Sequence, residues 1–558
     1  VARVVNSRLR FLLLVVLVGF GGLFTRAAWI QTVRAASLAA KAQQQTKAIV
    51  ALPAGRGTIF DRLGSPLALG EQATTIVADP MQIARPRHAA LVAAKVLGLK
   101  ASALYPQLAD RSRGFVYVER KAPPDKATAL AKKKLAGFTF YPEERRVYPQ
   151  KTVAAPVLGY AGVDNTGLGG LELELEHQLH GTPGQETVVR DALGSVIDTT
   201  NERPARNGHD VFLTIDSHIQ ANAEQVLLQT IHKWHAKDAT ALVLDPKTGA
   251  VLAMAMQPGY DANNFPRALA RGLQANHAIT DVFEPGSVFK VVTIGGALSE
   301  GLVTPQTKFT LPYSIRVADR VIHDAEIRPT ETMTVTQILQ RSSNVGAVTI
   351  AEKLLGEKRL KEWIARFGFG EKTGIDFPGE SAGILPSYWS GSTIGNVPIG
   401  QGISVTAIQL ASVYAAIANG GTWIQPHLVD HVQGERPATP TKRRILSPAI
   451  DRELLSMLKG VVSDHGTAAA AAIPGYTVAG KTGTAQKPGP HGYMPGKYVA
   501  TFVGMVPARD PQLVVLVSVD EPRDQIFGGV VAAPAFAQIA AFDLQYLEVP
   551  PNLSVVSR

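Results

Sequence analysis

Strand-like patterns stand at both ends of the stretch 211–547, and helical patterns fill its middle. That order limits the possible folds more than any composition figure does. Val211–Ile215 reads as a strand, and Asp216 or Ser217 can cap the helix that follows. Thr240–Leu244 and Ala250–Met254 flank Asp245-Pro246-Lys247-Thr248-Gly249, which predicts a hairpin. From Ser287 to about Gly420 the pattern is mostly helical. Tyr476–Gln486, Tyr498–Met505 and Leu513–Val519 then read as successive strands, and a helix follows near 532–547. The order predicts an α+β fold, with one antiparallel sheet assembled from both ends of the region and flanked by helices.

The N-terminus predicts a membrane helix. Arg3, Arg8 and Arg10 precede an apolar run that extends from Phe11 to Ile30, broken only by Thr25 and Arg26. Twenty residues make about 30 Å of helix, enough to cross the hydrocarbon. Arg26 can snorkel, and Trp29 suits an interface. The fourteen-residue core Phe11–Phe24 would also fit a signal peptide, but the longer run favours an uncleaved anchor. Residues 1–10 are then a cytoplasmic tail, 11–30 a single transmembrane anchor, and the functional mass lies outside the cytoplasm. Residues 31–50, which include Arg34, Lys41 and Lys47, read as a polar, alanine-rich helix leaving the membrane, ended by Pro53-Ala54-Gly55.

Thr58-Ile59-Phe60 with Asp61-Arg62-Leu63-Gly64 reads as a strand and turn. The cations between Lys121 and Lys151, including Lys132–Lys134, Arg145 and Arg146, read as a solvated helix face, with anionic headgroups or a pyrophosphate as the functional alternative. Leu171-Glu172-Leu173-Glu174-Leu175-Glu176 alternates like a strand but is built from helix formers, so both readings stay open. Residues 201–209 read as a linker.

The chain has no cysteine, which rules out disulfides, Cys-ligated zinc, iron–sulfur clusters and a thiol nucleophile, and suits an oxidising compartment. Its net charge of +10 is compatible with a membrane or cell-wall surface. No zinc finger, recognition helix or RNP motif accompanies that charge, so nucleic acid is not expected as a partner. His232 and His235 lack a third ligand and read as surface, and Gly167–Gly170 opens no βαβ unit. No metal and no cofactor is expected.

Three short motifs carry the chemistry: Ser287-Val288-Phe289-Lys290, Ser342-Ser343-Asn344 and Lys481-Thr482-Gly483. A serine hydroxyl needs a neighbouring base to act as a nucleophile. Pro285-Gly286 can open a helix with Ser287 in its first turn and Lys290 on the same face. A buried lysine with a cationic neighbour has a depressed pKa and can serve as that base, and Lys481 is the expected neighbour. Ser342 can relay a proton and Asn344 can bind a peptide carbonyl, although in isolation the pair would read as a helix cap. Lys481-Thr482-Gly483-Thr484 is expected at a strand end, where Gly483 lets a substrate backbone approach and the lysine and hydroxyls suit a carboxylate. The backbone amides of Ser287 and Thr484 are the candidate oxyanion donors.

In this order, the three motifs are the signature of penicillin-interacting serine acyltransferases. The sequence resembles the class B penicillin-binding proteins, the D,D-transpeptidases that cross-link peptidoglycan, over nearly its whole length. Arg56–Arg62 looks like the box at which the family's pedestal domain begins. Gly169-Gly170-Leu171-Glu172 looks like a second pedestal box, where the family is helical, and Gln401–Thr406 resembles a segment lining the transpeptidase domain. The Ser-Ser-Asn form, the run Gly480–Gln486 and the segment Arg26–Gln31 are similar to the division-specific FtsI type.

The resemblance implies a non-catalytic periplasmic pedestal over 31–205, elongated and mixed in structure, a transpeptidase domain over 206–548 and a tail over 549–558. It implies Ser287 as the acylated nucleophile, Lys290 as its base, Ser342 and Asn344 as the second motif, and Lys481, Thr482, Gly483 and Thr484 around the carboxylate of D-Ala-D-Ala or a β-lactam. It further implies a place at the division septum, in the cytoplasmic membrane, beside an FtsW-type glycan polymerase and other division proteins. An elongation-type transpeptidase is the nearest alternative. A D,D-carboxypeptidase or β-lactamase is the next, and the absence of a Glu-x-x-Leu-Asn motif between the second and third motifs disfavours a class A lactamase. A non-enzymatic sensor or scaffold would have lost a motif residue or gained further spans.

Overall fold

A computed structural model describes residues 2–38, 47–190, 196–490 and 492–553. The chain forms two compact units: residues 1–55 with 181–208, and residues 56–180 with 209–558.

In the first unit, helix α1 (Ala2–Thr32) contains the expected anchor and is apolar and exposed over Ser7–Thr32. Its two threonine hydroxyls are satisfied internally: Thr25 donates to the Gly21 carbonyl at 2.8 Å and Thr32 to that of Ala28 at 2.7 Å. A spanning helix must satisfy its polar groups in this way, because lipid offers no partner. The Arg26 and Arg34 guanidiniums lie over the Trp29 ring, 5.2 and 4.5 Å from its centroid. The helix does not run on to residue 50. It stops at Thr32, a break at 33–34 precedes one further helical turn over 35–38, and Lys47–Leu52 is a strand. Lys41 lies outside the described residues. That strand pairs antiparallel with Gly184–Arg190, which pairs with Val196–Arg203. Residues 201–203 therefore finish a strand, and the expected linker is confined to the residues after them.

In the second unit, one sheet joins Ile59–Phe60, Pro66–Ala78, Val116–Ala122 and Phe138–Val147 to Val211–Leu213 and Val429–Val432. Hydrogen bonding thus crosses the boundary drawn at 205/206. Residues 170–174 are helical, which decides the alternating stretch. Leu171, Leu175 and Leu179 are buried while Leu173 is exposed, a pattern a helix gives and a strand, which would turn all four to one face, does not. Glu172 is buried too, and its carboxylate meets Arg56 Nε and Arg146 Nε at 2.6 Å each. Arg146 is therefore an interior ion-pair partner, not part of a solvated helix face, and Arg145 sits on a strand paired with Glu71.

A five-stranded antiparallel sheet organises the rest. Its strands are β1 (Asp238–Leu244), β2 (Val251–Gln257), β3 (Ala479–Gly489), β4 (Gly492–Val506) and β5 (Leu513–Asp520), in the spatial order β2-β1-β5-β4-β3. The expected hairpin and three late strands are all present. Central strand β5 is buried from Leu513 to Val519, because helices cover both faces. A strand wedged between two helical layers reads as a continuous apolar run. Helix α2 (Ser217–Trp234) begins at Asp216, whose side chain accepts from His218 N and Ile219 N as an N-cap. Helices α3 (Lys290–Ser299) and α4 (Asn344–Ile350) carry two of the motifs. Helix α5 (Ala407–Ala418) is buried along its whole length and starts in a Thr406/Gln409 capping box. Helix α6 (Ala533–Tyr546) packs with α2. The middle of the domain is less helical than its pattern suggests: Lys308–Leu311 pairs with Glu331–Thr334, and Ser314–Val317 with Arg320–His323.

Candidate active site

The three motifs, 55 and 139 residues apart in sequence, meet at two lysine side chains. Ser287 lies in a 3-10 turn, Gly286–Phe289, that runs directly into α3, so Lys290 follows it by one turn as expected. Gly286 has a φ of +55°, and its amide donates to the Gly400 carbonyl at 3.0 Å. The Tyr414 hydroxyl on α5 donates to the Val288 carbonyl at 2.8 Å and holds the turn from behind.

Lys290 and Lys481 are both fully buried. Lys290 Nζ donates to the Ser342 carbonyl at 2.5 Å and to Asn344 Oδ1 at 2.7 Å, and lies 3.3 Å from Ser342 Oγ. The first two partners can only accept. A neutral amine has two protons for them and keeps its lone pair. Burial, and next the charge of Lys481, hold the Lys290 pKa well below its ordinary value, with Asp324 opposing. Lys481 Nζ donates to Ser342 Oγ at 2.9 Å and lies 3.2 Å from the Thr482 carbonyl. Burial lowers its pKa to about 7. Ser342 Oγ thus bridges the two amines. Among the described residues the hydrogen-bond partners of Lys290 Nζ are Ser342 and Asn344, and Ser287 Oγ is not one of them.

The helix-cap reading of the second motif falls to the residue between its two functional members. Ser343 caps α4, accepting from Gly346 N at 3.0 Å, which leaves the Ser342 and Asn344 side chains free to face the lysines. Ser342 has a φ of +59°, an uncommon left-handed conformation for serine that re-aims its side chain. Asp324 anchors this motif: it accepts from Ser343 Oγ and Val345 N at 3.0 Å and pairs with Arg328 at 2.6 Å. Asn344 Nδ2 donates to the His323 carbonyl at 3.0 Å.

The third motif is not at a strand end. Lys481–Thr484 are the third to sixth residues of β3, the edge strand of the sheet. A Cβ on Gly483 would meet the Pro285 carbonyl at 2.9 Å and Val288 Cγ1 at 3.2 Å. The glycine is therefore required by the turn that carries Ser287, where the sequence reading expects a substrate backbone. Thr484 Oγ1 accepts from Gly528 N at 3.1 Å, so its proton is free to point elsewhere. The Thr482 and Thr467 hydroxyls lie 2.8 Å apart.

Asp324, Tyr414, Thr467 and Gly528 have no motif context in the sequence, and only the tertiary structure brings them to the site. His232 and His235 are exposed, as expected. Among the described residues no cluster of His, Asp or Glu could hold a metal.

A lysine pair bridged by a serine, beside a serine-bearing helix start and a Lys-Thr-Gly edge strand, defines a serine acyltransferase site. Residues 239–541 match the penicillin binding protein transpeptidase domain, and residues 51–213 match the penicillin-binding protein dimerisation domain. The chain belongs to the penicillin-binding protein transpeptidases. It is 32% identical to a probable peptidoglycan D,D-transpeptidase, PenA, of Neisseria meningitidis, over 98% of this chain and 94% of the relative. It is 32% identical to the peptidoglycan D,D-transpeptidase FtsI of Escherichia coli, over 99% and 94%. Penicillin binding protein 3 of Mycobacterium tuberculosis, in its complex with aztreonam, superimposes with a TM-score of 0.71 at 29% identity, covering 91% of this chain and all of that one.

Proposed function

We propose that this chain is a peptidoglycan D,D-transpeptidase of the septal type, acting through an acyl-enzyme on Ser287 and blocked there by β-lactams. The observation that carries the reading is the Lys290–Ser342–Lys481 bridge, which gives one lysine a free lone pair while the other donates. Neutral Lys290 takes the Ser287 proton as Oγ attacks the penultimate D-Ala carbonyl. The amides of Ser287 and Thr484 receive the developing oxyanion, a contribution of about 10²–10³ per donor in related chemistry. The proton then passes by way of Ser342 to the departing D-Ala amine as the C–N bond breaks. An amine of a neighbouring stem peptide attacks the ester, returns its proton through the same groups and frees Ser287. Lys481, Thr482 and Thr484 bind the terminal carboxylate, with Gly483 letting the nucleophile's turn sit against them, and Asn344 orients the donor peptide.

In this reading α1 is the single membrane anchor, residues 31–205 form a pedestal and the catalytic domain works on the periplasmic side at the septum. An FtsW-type polymerase supplies the glycan strands and other division proteins complete the assembly. The likeness to FtsI supports the division role over an elongation role. The test is intact mass after exposure to a β-lactam. One adduct is expected, mapping to the peptide that contains Ser287, absent from Ser287→Ala and slow to release. Rapid multiple turnover of the drug would make the protein a hydrolase instead.

A further inference from the structure

The net charge of the chain is not spread over it. Residues 80–135 hold twelve Lys and Arg against three Asp and Glu, a net +9 out of the +10 of the whole chain. The other five hundred residues together carry +1. These residues build a lobe with a core of its own, in which Ile83, Ala90, Ala93, Leu97, Leu108 and Leu130 are buried together. Charge that served only solubility would need no such segregation, and self-repulsion within so small a lobe works against its folding.

Six of the twelve cations stand at the ends of its helices. Arg85 and Arg87 stand at the start of the helix Pro86–Leu97, and Lys95 and Lys100 at its end. Lys132 and Lys133 follow the helix Pro124–Ala131. All six are exposed. Lys126 Nζ donates to the Leu97 carbonyl at 3.0 Å and ties the two helices together. Of the few local acids, Asp110 is already paired with Arg113 at 3.0 Å. A twelve-residue helix is about 18 Å long, so a small ligand cannot touch both ends, whereas a repeating polyanion can. At physiological salt the Debye length is about 8 Å, and neighbouring charges on the lobe still add.

We infer that this lobe is a docking surface for peptidoglycan itself, holding the stem-peptide carboxylates of a glycan strand while the active site works on a peptide of the same polymer. The inference rests on the transpeptidase reading above. A second contact on one polymer raises the effective concentration of the substrate at the first, without any new interaction at Ser287. The lobe's contacts are purely electrostatic, so they allow the strand to slide and be released.

The test uses the full chain in detergent, with a variant carrying Lys95→Glu, Lys100→Glu, Lys132→Glu and Lys133→Glu, and a milder one with the same four residues changed to Gln. Co-sedimentation with purified sacculi is measured from 0.05 to 0.5 M salt, and with vesicles of phosphatidylglycerol and phosphatidylethanolamine in parallel. The parent chain is expected to bind sacculi in a salt-sensitive way. The Glu variant should lose at least tenfold and the Gln variant less, with acylation by a fluorescent penicillin unchanged in both. Sacculus binding equal to the parent in both variants overturns the inference, as does loss of vesicle binding with sacculus binding intact, which would make the surface a membrane contact. If the parent chain itself fails to acylate, the transpeptidase reading falls, and sacculus binding still decides the docking surface by itself.

Discussion

Replacing Gly483 by alanine tests how the nucleophile is positioned. Its φ lies outside the left-handed range, so alanine meets no backbone penalty there, and the only cost is space. The new Cβ would sit 2.9 Å from the Pro285 carbonyl oxygen and 3.2 Å from Val288 Cγ1. The first is a backbone atom and cannot rotate away. The turn carrying Ser287 must retreat from β3 by about 0.3–0.5 Å, an overpacking that typically costs about 1–3 kcal/mol. A misplacement of about 1 Å can cost 10²-fold in rate, so a loss of about 10- to 100-fold in acylation is expected. Stopped-flow acylation by a fluorescent penicillin measures it, with the melting temperature as control. The same loss is expected for small and large β-lactams, because the clash is within the protein. Acylation within twofold of the parent chain would refute the reasoning, and a loss that grows with ligand size would restore Gly483 to a substrate-clearance role.

Three further outcomes are expected. Tyr414→Phe leaves the buried Val288 carbonyl without its donor, which should cost about 1–3 kcal/mol of stability, read by thermal melting, and slow acylation with it. Both lysines have lowered folded-state pKa values, Lys481 at about 7, so between there and the ordinary lysine value the unfolded chain binds more protons and stability must rise with pH; Lys290→Met should therefore stabilise the protein more at pH 6 than at pH 9, and the reverse order would contradict the assignment. Lys481→Gln removes the charge that helps to hold Lys290 neutral, so the acid limb of whatever acylation remains should move to higher pH, and an unmoved limb would show that burial alone sets it.

The late strands and the β1–β2 hairpin were legible because alternation and turn residues are local signals, and the same holds for the caps at Asp216 and Thr406. The three motifs were legible as residue types at known spacing. What resisted reading depends on tertiary context. Leu171–Glu176 alternates in sequence, yet its burial follows Leu171, Leu175 and Leu179. Arg146 looks like one cation among many until Glu172 is seen opposite it. Gly483 reads as a substrate-access glycine because nothing local reveals that Pro285 lies against it. The division of labour inside Ser342-Ser343-Asn344, with the middle serine as cap, follows from the φ of Ser342 and cannot be read from composition.

Strand β5 lies between β1 and β4 in the sheet, although more than 260 residues separate it from β1 in the chain. Until Leu513–Asp520 has been made, β1–β2 and β3–β4 are separate hairpins, and Lys481 has no fixed position against Ser342 and Lys290. A chain still emerging from the ribosome or threading through a membrane therefore carries the serine without the machinery that activates it. Contacts so distant in sequence also form slowly. Acylating power arrives only once Leu513–Asp520 has joined the sheet, so a copy truncated or stalled before that strand is inert toward both the cell wall and the drug.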